Sequence, residues 1–105
     1  MKRLDNWSLI RYDHGNGPRQ CLHGNVSGHP EFPDGVSITT TPVAKAIGHE
    51  RFAVRTESGS WYLLGTIDPE YDKRYPSAGK RLVASYQAQE RALALFLSIP
   101  GASDA

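Results

Sequence analysis

The side chains able to do acid–base, nucleophilic or metal chemistry in this 105-residue chain gather in one stretch. Residues 22–41 hold His23 and His29, two of the four histidines, with Glu31 and Asp34 beside them and Cys21 immediately before. Imidazole and carboxylate are zinc ligands, but the spacing matches neither paired cysteines nor an HExxH helix. A metal would need His14 or His49 to complete the set across the fold, so neither metal nor cofactor is expected. An enzymatic reading would make His29, oriented by Asp34, the general base for Cys21 or a serine. That role requires hydrogen-bond reach within a cleft, which proximity in a loop does not supply.

The same residues have a conformational use. Pro30 pushes His29 towards an extended backbone, Pro33 presets φ, Asp34 can bond the backbone around a turn, and Gly35 accepts positive φ. Gly28 to Gly35 therefore reads as a rigid polar connection between two strands. The expectation is a non-enzymatic protein with no catalytic residues, in which His29, Phe32 and Asp34 form a contact surface on that loop.

Composition narrows the function class. Twelve Lys and Arg oppose eleven Asp and Glu, a net charge of +1, with the signs interspersed. A nucleic-acid binder usually carries a basic stripe or a raised isoelectric point, and here the value is about 7.9. The single cysteine forbids an intramolecular disulfide and suits a reducing compartment, where a buried, inert thiol is its expected state. The N-terminal residues lack an apolar run of signal-peptide length and no segment is long enough to span a bilayer, which leads to the expectation of a cytoplasmic protein with no membrane partner.

The elements that must position these groups are read from periodicity. Trp7 to Tyr12 alternates as a strand, Asp13 to Pro18 reverses the chain, and Arg19 to Ser27 returns, with Gly24 marking a bulge or a close backbone approach. Val36 to Thr41 continues beyond the feature loop. Arg51 to Thr56 and Ser60 to Leu64 form a hairpin around Glu57-Ser58-Gly59. Val43 to Glu50 is read as a crossover and Thr66 to Gly79 as a long surface loop. From Lys80 to Ser98, Leu82, Tyr86, Gln89, Leu93, Phe96 and Leu97 recur at three- and four-residue spacing, predicting an amphipathic helix ended by Pro100-Gly101.

Strands followed by one helix imply an α+β domain over residues 1–101, with a flexible tail at 102–105. About five strands form a curved antiparallel sheet, and partial closure as an SH3-like barrel would remove its edges. Two further contact surfaces follow. The loop carrying Tyr71, Lys73 and Arg74 has the aromatic and cationic composition of interface hot spots. Trp7, Tyr12, Trp61, Tyr62 and Tyr71, with Arg11, Arg55 and Lys73 between them, could stack single-stranded bases, and this makes an SH3-like or OB-like nucleic-acid module the alternative.

The run Leu22-x-Gly24-x-Val26-x-Gly28-His29-Pro30-x-Phe32-x-Asp34-Gly35-x-x-Ile38-x-Thr40, followed by Val54-x-Thr56-x-Ser58-Gly59-x-x-Tyr62-x-Leu64-Gly65, resembles a pattern in short uncharacterised proteins of bacteria and their phages. The resemblance covers residues 22–65. It implies an accessory protein of a mobile element, a class that includes inhibitors of host defence such as anti-CRISPR proteins, and it implies a protein partner. It brings no catalytic residues with it.

Overall fold

The computed structural model describes residues 1–13, 15 and 18–98. In chain order the elements are β1 (Arg3–Asp13), β2 (Pro18–Ser27), β3 (Ser37–Thr39), β4 (Val43–Gly48), β5 (Phe52–Thr56), β6 (Trp61–Leu64), α1 (Pro69–Arg74) and α2 (Ala78–Ser98). β1–β2–β3 and β4–β5–β6 are each antiparallel meanders. They join where β6 lies parallel to β1, with Leu4 opposite Leu64, giving the order β3-β2-β1-β6-β5-β4. The sheet is therefore mixed rather than wholly antiparallel, and it has six strands rather than about five.

Its outermost strands, β3 and β4, are consecutive in the chain. Five flat inter-strand spacings would separate them by about 24 Å. Thr40, Thr41 and Pro42 bridge at most about 14 Å between the strand ends, so the sheet has to curl. The corner is clipped on both sides. Thr40 donates its N–H to the Leu22 carbonyl (2.8 Å) while its Oγ1 accepts from the Leu22 N–H (3.0 Å), and the Glu57 N–H reaches the Pro42 carbonyl at 2.8 Å. No ladder joins β3 to β4 among the described residues, so the sheet is curved but open.

Period-two alternation sends Leu22 and Val26 of β2, Val54 of β5 and Tyr62 and Leu64 of β6 to the inner face, where all are buried. Leu4 and Trp7 of β1 join them although three residues apart, a spacing that would aim them at opposite faces of a regular strand. A bulge between Asp5 and Ser8 restores the phase, with Asn6 at φ 52°. Gly24 is needed opposite it, because a Cβ there would stand 2.9 Å from the Asp5 carbonyl oxygen. The Trp7 indole N–H donates to the Gly65 carbonyl (3.2 Å), and Asp5 Oδ1 accepts from the Thr66 N–H (2.9 Å) and from Arg3. Ala78, Leu82 and Val83 of α2 cover the inner face, and Tyr86 donates its hydroxyl to the Val43 carbonyl (2.9 Å).

Several expectations are corrected. Val43 to Glu50 is not a crossover but mostly strand β4, whose alternation is masked by a register shift between Val43 and Lys45. Residues 66–79 are not an unbroken loop. Asp68 caps α1 by accepting from the Glu70 N–H at 2.9 Å, and Pro69 sits in the first turn, where its missing N–H costs nothing. The long helix begins at Ala78, two residues before Lys80. The tail at 102–105, the Pro100-Gly101 stop, and His14, Asn16 and Gly17 of the first turn lie outside the described residues.

Leu22→Ala should lower unfolding stability by about 2–5 kcal/mol in denaturant titration, since the side chain is fully buried. The backbone N–H of Thr66 holds the Asp5 carboxyl below its ordinary pKa, with Arg3 adding to the effect. A depressed folded-state pKa contributes stability above the unfolded value of about 3.9, lost as pH falls through the folded value. Asp5→Asn should therefore flatten the acid limb of the stability–pH curve below about pH 4 and leave its slope near pH 7 unchanged.

Candidate functional site

The β2–β3 connection that holds most of the reactive residues is a closed hairpin loop. Asp34 Oδ1 accepts from the Gly28 N–H (3.0 Å), the Gly35 N–H donates to the Val26 carbonyl (2.7 Å), and the Val26 N–H donates to the Val36 carbonyl (2.9 Å). Gly28 and Gly35 take positive φ, 67° and 90°. His29 Nδ1 accepts from the Glu31 N–H at 2.9 Å, and its ring lies 4.7 Å from Phe32 and 6.4 Å from Tyr62. The loop thus folds His29 onto the rim of the inner face. Asp34 spends a carboxylate oxygen on the turn and His29 spends Nδ1 on a backbone amide, so the pair is built as a turn.

The other reactive groups lie apart from it. Cys21 is buried, with Sγ donating to the Tyr12 hydroxyl over 3.3 Å, and His23 is exposed, with Nδ1 3.0 Å from Thr39 Oγ1. Among the described residues no three His, Cys, Asp or Glu side chains converge as a metal set would. No helix among them is long and apolar enough to cross a membrane.

Tyr71, Lys73 and Arg74 sit on α1. Tyr71 is held in an aromatic row, 6.3 Å from Trp7 and 4.9 Å from Tyr75, and burial pushes its hydroxyl pKa up. Lys73 and Arg74 are exposed, and Lys73 reaches Glu70 at 3.5 Å. This surface and the His29 loop are separated along β1 by roughly 16 Å of strand, so the structure does not bring them together. The aromatic set considered for base stacking is also divided. Trp7 and Tyr62 belong to the core, while Arg55 and Trp61 pair on the outer face and Arg11 continues the inner-facing row of Leu9.

A run of exposed apolar side chains lies where the sequence pattern placed core. α2 is buried at Ala78, Gly79, Leu82 and Val83 and half-buried at Tyr86, and from Gln87 to Ser98 every residue is exposed. Leu93 is 58% exposed, Leu95 68%, Phe96 50% and Leu97 60%. Leu93, Phe96 and Leu97 prolong the Leu82–Tyr86 stripe, while Leu95 projects from the opposite side. Length accounts for the overhang. A helix of 21 residues extends about 31 Å, whereas β4, with six, extends about 20 Å. Because β4 reads as a crossover in the sequence, the mismatch between strand and helix lengths left no signal there, and periodicity alone predicted a continuous buried stripe.

Asp34→Ala should cost about 1 kcal/mol and speed amide exchange at Gly28 and Gly35, measurable by NMR, because it frees a backbone donor and loosens the turn. Comparison with protein-family models, curated proteins and solved structures finds no match for the chain.

Proposed function

We propose that the chain is a non-catalytic protein-binding module, of the accessory or inhibitory kind that the resemblance implies, and that the free end of α2 is its principal contact surface. The observation that carries this reading is the exposure of Leu93, Phe96 and Leu97 along one face of a helix segment that the sheet does not reach. Contiguous apolar surface of this kind marks association sites. A helix that presents large side chains at three- and four-residue spacing is suited to an apolar groove in a partner protein.

The chemistry of the segment narrows the partner. Residues 92–98 carry no charge, so recognition there is apolar, and the basic face that draws amphipathic helices to anionic bilayers is lacking. Phe32 on the β2–β3 loop and Lys73 with Arg74 on α1 remain in the proposal as secondary contacts, with His29, Asp34 and Tyr71 holding their backbones in place. The inhibitory role against a host defence complex rests on the resemblance of residues 22–65.

Paired Phe96→Lys and Leu97→Lys substitutions suit the negative end of the helix dipole and touch no core residue. They should leave the melting temperature within a few degrees of the parent and abolish capture of a stoichiometric protein from nuclease-treated bacterial lysate. Capture that survives the pair of substitutions, or that vanishes with nuclease alone, would contradict the proposal.

A further inference from the structure

We infer that the groove between the β1–β2 hairpin and α2 binds an organic phosphate, a phosphate monoester attached to a planar ring. The inference is independent of the protein-binding reading. Past the core, the inner-facing row of the hairpin changes from the Leu9–Leu22 pair to the Arg11–Gln20 pair. Across from it, α2 presents Arg81 and Ser85, four residues apart and so on one helix face. These four polar side chains line a groove of about 350 Å³, and Arg11, Gln20 and Ser85 also line the adjoining space of about 440 Å³. Both fall in the size range of small-molecule sites.

The charges in this groove are unbalanced. Among the described residues Arg11 and Arg81 form no ion pair, and the carboxylates lining the spaces on either side of the groove are engaged: Glu57 with Arg19, Glu70 with Lys73, and Asp68 with the first turn of α1. Two guanidinium groups lining one groove give it a positive charge that an anion would balance. A dianionic phosphate balances both charges, and each guanidinium fork matches two phosphate oxygens. Gln20 and Ser85 add neutral donors for the remaining oxygens.

The organic part of the ligand follows from the groove's other end. Tyr71 and Tyr75 line it, their rings 4.9 Å apart and tilted by 52°, and Tyr75 is half exposed. A free tyrosine face beside a phosphate cradle suits a planar ring carried on the same molecule.

Calorimetric titration of the intact chain with adenosine monophosphate and with inorganic pyrophosphate tests the inference. Adenosine monophosphate should bind saturably at one site, at least tenfold more weakly in Arg11→Gln and in Arg81→Gln. Both residues are exposed, so each variant should melt like the parent. Tyr75→Ala should weaken adenosine monophosphate several-fold and leave pyrophosphate unchanged. Arg55→Gln, on the outer face, should change neither. The inference is overturned if neither probe saturates at millimolar concentration, if Arg55→Gln is as damaging as the groove variants, or if only a single-stranded oligonucleotide binds.

Discussion

Three residues, Thr40, Thr41 and Pro42, connect the two outer strands of a six-stranded sheet, and this short tether is the constraint on which the remaining geometry depends. A flat sheet cannot be spanned by so little chain. The strands must curl, and curling turns one face into an enclosed interior lined by Leu4, Leu22, Val26, Val54 and Tyr62. The parallel contact of β6 with β1 provides the seam about which the two meanders fold towards each other. The Thr40 hydroxyl, the Thr41–Ser58 pair and the Glu57 amide then hold the corner shut by hydrogen bonds in place of a strand ladder.

The curl also distributes the surface available for function. At one rim the β2–β3 loop lays His29 over Tyr62, with Asp34 Oδ1 and His29 Nδ1 both bonded to the loop's own backbone. At the other, α2 closes the interior with its first two to three turns and then runs past the sheet. The six-residue β4 sets where that support ends, so the exposed leucines follow from unequal element lengths. A polar groove is left where the β1–β2 hairpin also outruns the core, and there the inward row changes from leucine to arginine.

Features governed by local chemistry were legible in the sequence. The β5–β6 hairpin around Glu57-Ser58-Gly59 and the turn roles of Pro33, Asp34 and Gly35 depend on residues near one another in the chain, while the close approach at Gly24, made to the distant Asp5 and Trp7, showed only through the residue type. Features that depend on a shift of phase were not. The bulge at Asp5–Ser8 hid the start of β1, and the slip between Val43 and Lys45 disguised β4 as a crossover. α1 left a readable signal in Asp68-Pro69-Glu70, a capping residue followed by proline, which its short length obscured. The helix pattern named the stripe from Leu82 to Leu97 correctly but could not say how far the opposing sheet extends. The convergence of Arg11 with Arg81 arises from tertiary packing across 70 positions of sequence, and no spacing rule reports it.

The account stands on the claim that the second half of α2, tied to the sheet by the exposed Lys45–Glu90 ion pair, has no cover for its apolar side chains among the described residues until a partner supplies it. Hydrogen–deuterium exchange measured along α2, in the dilute chain and in the purified partner complex, tests this most directly. The account predicts strong protection at residues 82–86 in both states, and rapid exchange at 89–98 that becomes protected only in the complex. Equal protection along the whole helix in the dilute chain, or a complex that protects residues 28–36 while leaving 89–98 unchanged, would contradict it.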